Sequence, residues 1–328
     1  MYNCQLFLNF VVQKTMEMKK IMLTLFIVTA TLGNAQILNM IKDKVKDKTM
    51  SFAGDKVVNA ITTEAITTNF KDCNTVDIKQ PEFASGKNFV SLCRESFNKD
   101  TGYVLTPGYY QIQLKSFCLK AGTYAPSKGD GYLFAPLKGP KEEIINALVK
   151  NWYNHQDIPQ EQVQSLVWAV IAKSSFKNLN TESKLVAARL LSKDQLLKLS
   201  KMGLDFIPAD IMSKAKSNLP QPVQIALDAE NKIRNFFSSS SSSYADLERL
   251  AMISGVNPEK SAIQYGTWGL HPDGYWVAYE PHGYREMTVK IFVPENLTSV
   301  SFIPSDQVAV PANTSSQRLM LSDMLNCN

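Results

Sequence analysis

Thr106-Pro107-Gly108-Tyr109-Tyr110-Gln111-Ile112-Gln113-Leu114-Lys115-Ser116-Phe117-Cys118 carries the decisive reading. A Pro-Gly turn opens the run, and strict alternation follows. Tyr110, Ile112, Leu114 and Cys118 fall on one face, Gln111, Gln113 and Lys115 on the other. A period of two with one apolar and one polar side defines a half-buried β-strand, and it directs Cys118 to the apolar side. A tight turn at Lys128-Gly129-Asp130-Gly131-Tyr132 then feeds a second short strand, Leu133-Phe134-Ala135. Prolines, glycines and missing helical periodicity make 70–139 a strand-and-loop region that holds most of the cysteines.

From 140 to 255 the period changes to that of a helix. Pro140, followed by Glu142 and Glu143, starts one whose apolar side is Ile144, Ile145, Leu148 and Trp152. Asp157 and Gln160, in capping-box spacing, precede Val163, Leu166, Val167, Val170 and Ile171, a full amphipathic set. Further helices are predicted over 181–191, 193–202 (capped by Ser192 and Gln195), 208–217, 221–237 and 244–253, with the run Ser238 to Ser243 as a loop.

After 256 the period returns to two. Tyr265 to Leu270, the Pro272-Asp273-Gly274 turn, Tyr275/Val277/Tyr279 and Met287/Val289/Ile291/Val293 predict three strands of a meander, with Val300 to Ile303 as a fourth. The expected fold is α+β: a central antiparallel helical block, flanked by the cysteine-bearing strand and loop region and by a small C-terminal antiparallel β-meander.

The amino-terminal end reads as an address. Met18-Lys19-Lys20, the apolar run Ile21 to Leu32 and Gly33-Asn34-Ala35 have the three parts of an export signal cleaved near Ala35. The apolar run is shorter than the roughly 20 residues of a membrane span, so no transmembrane anchor is expected in the mature chain. Residues 1–17 read as an upstream extension. The organisation expected is therefore 1–35 extension and signal, 36–69 an amphipathic helical arm, 70–139 strands and loops, 140–255 helices and 256–328 a small β domain. In the arm Ile37, Ile41 and Val45 alternate with lysines and aspartates, a stripe suited to packing or to a partner helix at 37–69. A secreted or periplasmic chain keeps Cys73, Cys93, Cys118 and Cys327, an even number, from which two disulfides in one of three pairings are expected.

Composition narrows the function. The 328 residues carry 35 basic and 30 acidic side chains, a net charge of +5 too evenly composed for nucleic-acid binding. No phosphate loop, HExxH, GxSxG or EF-hand motif is found, and no cofactor is expected. A thiol hydrolase acting on cell-wall or peptide material would need Cys118 with His271 as base and Asp273 or Asn154 to orient it. Against it stand the inward face of Cys118 and the other cysteines available to pair with it. His271, Asp273, Glu280 and His282 are the ligand types of a divalent-metal site, although turn histidines are the commoner explanation. Asp130, Asp273, Glu280 and Glu286 offer no distinct acid pair for glycoside cleavage.

The tail is dense in aromatics: Tyr265, Trp268, Tyr275, Trp276, Tyr279 and Tyr284 lie within twenty residues. A small sheet cannot hide them all. Exposed rings beside His282, Arg285 and Glu280 suit a glycan or an envelope protein. The expected role is non-catalytic binding through Trp268, Tyr275, Trp276, Tyr279, His282, Tyr284 and Arg285.

Overall fold

The computed structural model describes residues 59–201, 204, 212–213, 216–217, 219–239, 243–255, 257–259 and 261–325. The export signal, the arm up to residue 58, most of the 208–217 helix, Ser240 to Ser242 and Cys327 lie outside the described residues.

The strands in chain order are β1 (Ile78–Lys79), β2 (Val90–Ser91), β3 (Tyr103–Leu105), β4 (Gly108–Cys118), β5 (Thr123–Tyr124), β6 (Tyr132–Phe134), β7 (Met252–Ile253), β8 (Trp268–Leu270), β9 (Trp276–Pro281), β10 (Glu286–Val293), β11 (Val300–Phe302), β12 (Val308–Pro311) and β13 (Leu319–Leu325). The alternating stretch is β4, and it is the axis of the fold. One side of it pairs with β10 over eight residues, from Lys115 opposite Glu286 to Gly108 opposite Val293. The other side pairs with β13 through Cys118 opposite Leu319. The main sheet runs β1-β8-β9-β10-β4-β13-β12-β6, antiparallel throughout, with β2 added parallel to β4. It curls into a half-barrel, so that β6 at one end packs back onto β8 and β9. The approach there is close: a Cβ on Gly269 would lie 2.9 Å from the Leu133 side chain.

This overturns the expected hierarchy. The sheet of nine strands dominates, and the helices are laid against it. Strands before and after the helical stretch join in one sheet, so the C-terminal meander is one flank of something larger. The missing elements were β12 and β13. All four residues of β12 are buried, as are Leu319 to Asp323 of β13. A strand covered on both faces shows a continuous apolar run and no alternation. The Val300 strand also exists, but it pairs with β3 in a separate ribbon rather than extending the meander.

The helices with described bounds are α1 (Glu142–Trp152), α2 (Gln160–Ile171), α3 (Thr181–Leu190), α4 (Lys193–Ser200), α5 (Gln221–Phe237) and α6 (Tyr244–Ala251). Ser192 and Gln195 form the capping box of α4. The α2 start differs from expectation: its N-cap is Pro159, without a side-chain cap, because Asp157 is committed to Arg189. The last helix stops at Ala251, since Met252 and Ile253 pair as β7 with β5. Helix α2 is central to this layer, packed against β4, α1, α3, α5 and α6 and buried from Val163 to Ile171 except at Ser165. Gln164 fastens it to the sheet: its Oε1 accepts the Cys118 N–H at 2.8 Å and its Nε2 donates to the Cys118 carbonyl at 3.2 Å.

Candidate binding surface

The β9–β10 hairpin decides which rings meet solvent. Alternation sends Val277 and Tyr279 into the curl together with Tyr275 just before β9, and Trp276 and Phe292 outward. Inside, the Tyr279 hydroxyl donates to Gln307 Oε1 at 2.8 Å, and Tyr275 stacks on His271 with centroids 4.3 Å apart. Both tyrosines are fully buried. Trp268 is 1% exposed and Tyr284 9%, leaving Trp276 and Tyr265 partly open among the six rings. The premise of a sheet too small to hide them gives way because β4, β12 and β13 deepen the curl.

On the outer face the sequence reading missed most of the players. Phe292 of β10 and Tyr109 of β4 are opposed in register and stack at 4.5 Å. Trp268 and Trp276 adjoin them, and the segment carrying Phe83 and Phe89 lies over the group, with Phe83 5.5–6.1 Å from Phe292, Trp268 and Trp276. Phe83, Phe89, Tyr109, Trp276 and Phe292 are each only partly buried. Lysines line this patch: Lys79 Nζ sits 4.3 Å from the Trp276 ring centroid, Lys87 5.6 Å from that of Tyr109, and Lys290 5.9 Å from that of Phe89. Lys290 is paired with Glu280 at 2.7 Å; Lys79 and Lys87 have no carboxylate partner among the described residues. A signal for this patch was present in the alternation itself, which assigns Tyr109 to the polar face of β4 and Phe292 to that of β10.

Tyr284 and Arg285 sit elsewhere, at the turn of the same hairpin, under the helices. The Tyr284 hydroxyl meets Glu248 in a short hydrogen bond and lies 2.9 Å from the Tyr244 hydroxyl. Burial and the Glu248 carboxylate push its pKa up to about 12. Arg285 Nε donates to that hydroxyl at 3.1 Å, and its Nη1 donates to Glu161 at 2.6 Å.

The other candidates are dispersed. Cys118 lies beneath α2, fully buried, and burial drives its thiol pKa well above the ordinary value. His271 lies between Tyr275, on which it stacks, and a tilted Phe134 ring, and it accepts the Asp273 N–H on Nδ1; burial pushes its pKa down to about 4, against the opposing pull of Asp273. Nothing joins these two residues as nucleophile and base. Asp273 is 3.4 Å from His271, while Glu280 is held by Lys290 and His282 by Thr288 at 2.8 Å. Among the described residues no three metal-ligating side chains converge. Asp130 is spent on Ser127 and Ser316, and Glu286 on Lys115. Cys73 and Cys118 are free buried thiols, so neither belongs to a disulfide; Cys93 is not among the free thiols. The Cys73 pKa is pushed up to about 12, first by burial and then by Asp72. No described helix is long and apolar enough to cross a membrane. Comparison with protein-family models, curated proteins and solved structures finds no match to this chain.

Proposed function

We propose that the protein is an exported, non-catalytic envelope or extracellular binding protein, and that it recognises an acidic glycan on the outer face of its sheet. The observation carrying this reading is the partly buried group Phe83, Phe89, Tyr109, Trp276 and Phe292, edged by Lys79 and Lys87, which have no acidic partners among the described residues. Flat rings stack on the apolar faces of sugar units, and unpaired ammonium groups attract carboxylates or sulfates on the same polymer. Export rests on the 18–35 segment.

The test is electrophoresis through native gels containing polygalacturonate or neutral amylose. Retardation by polygalacturonate that disappears in Trp276→Ala supports the proposal. Equal retardation by both polymers removes the acidic requirement, and none at all, with retention instead on an immobilised envelope-protein fraction, replaces the glycan with a protein partner. An intact mass beginning at Gln36, from cells expressing the full chain, tests the export step; an uncleaved chain in the cytosol would refute it.

A further inference from the structure

A second place in the fold is shaped for a ligand and has no part in the outer-face reading. The start of α2, the start of α3, the end of α5 and the start of α6 line an open cleft of about 290 Å³. One wall is apolar, built from Phe236, Phe237, Tyr244 and Leu247; Glu161 and Glu182, from the first turns of α2 and α3, supply charge. Among the described residues no lysine or arginine lines it.

The two carboxylates are held in place from outside. Glu161 Oε1 accepts from Arg285 at 2.6 Å, and Glu182 Oε1 accepts from the Gln162 side-chain amide at 2.6 Å. Each uses one oxygen, and Oε2 of each has no hydrogen-bond partner among the described residues. Arg285 offsets the charge of Glu161. Glu182 has no cationic partner among the described residues, so the cleft keeps a net negative charge beside its aromatic wall. Both glutamates also suit the positive ends of their helices, but that role requires neither a cleft nor aromatic residues facing it. Next to the cleft, Trp168 stacks on Tyr244 at 5.8 Å and keeps a buried indole N–H without a partner among the described residues.

We propose that this cleft binds a small organic cation, an amine carried on an aromatic or aliphatic body. The ammonium donates to Glu182, while the body packs on the partly exposed rings of Phe236 and Tyr244. A carboxylate acceptor makes a stronger bond to an ammonium than a neutral acceptor does, and the partly exposed rings of Phe236 and Tyr244 give the body an apolar contact beside the polar groups that line most of the cleft. A neutral ligand of the same shape gains the wall but loses the charge. An anion is repelled.

Calorimetric titration of the full chain with phenethylamine, phenethyl alcohol and phenylacetate tests this. Saturable binding of the amine is expected, weakened at least about tenfold for the alcohol and for the amine with Glu182→Gln. Glu182 is exposed and Gln can still accept from Gln162, so an unchanged melting temperature for Glu182→Gln separates a lost ligand contact from a lost fold. Equal binding of amine and alcohol, preference for phenylacetate, no effect of Glu182→Gln, or no saturable binding of the amine would each overturn the assignment.

Discussion

The two faces of the β9–β10 hairpin carry the same kinds of residue and meet opposite fates. Tyr275 and Tyr279 point into the curl and vanish from solvent; Trp276 and Phe292 point outward and stay partly exposed. The difference is made by partners distant in sequence. Inward rings are met by Phe302 and Gln307, after the hairpin, and by the curling of the sheet around β4. Outward rings are met by the short Phe83–Phe89 segment and by lysines. Aromatic density therefore says little about exposure until the strand partners are known.

This contrast has measurable consequences. Tyr279→Ala should remove a packed ring and leave Gln307 without its donor, costing about 3–5 kcal/mol in urea unfolding. Trp276→Ala, on the open face, should cost about 1 kcal/mol. Equal losses would mean that the outer group is as much a core as the inner one.

A smaller effect concerns His271, again on the inner side. Its folded pKa of about 4 lies below the ordinary histidine value of 6.5, so between these values the unfolded chain binds the proton more readily. The contribution of His271 to stability is thus present above about pH 6.5 and lost as pH falls toward 4, on the order of 3 kcal/mol. His271→Asn should flatten this part of the stability profile. A variant with the same slope as the wild type would show that the ring titrates normally.

The smallest perturbation is chemical. In the native protein Cys73 and Cys118 should resist iodoacetamide at pH 8, because both thiols are buried and hard to ionise, and both should react in denaturant. Rapid native labelling of Cys118, read by peptide mass, would restore it as a nucleophile.

What the sequence disclosed follows from the same physics. Strands β4 and β10 were readable because each has one face in the curl and one outside, and helices α1 and α2 because their apolar positions recur at helical spacing. Strands β12 and β13 were not, being covered on both sides. The large sheet followed them out of sight, since its central pairings join Cys118 to Leu319 and Lys115 to Glu286 across the whole helical stretch. Of the candidate binding residues, Trp276 keeps an open position, whereas Tyr275, Tyr279 and Trp268 are packing residues and Tyr284 with Arg285 belongs to the polar knot under α6. The outer companions Tyr109, Phe83 and Phe89 lie some 170 residues or more from Trp276 in sequence, and only the folded sheet assembles them.

The most direct test of the outer face is a calorimetric titration with oligogalacturonate at low and at physiological salt, comparing wild type, Trp276→Ala and Lys79→Gln. Saturable binding in the wild type, at least about tenfold weaker in both variants and weakened by salt, is the predicted result. Binding that is indifferent to both substitutions, or no binding by the wild type at either salt concentration, would contradict a glycan site centred on Trp276.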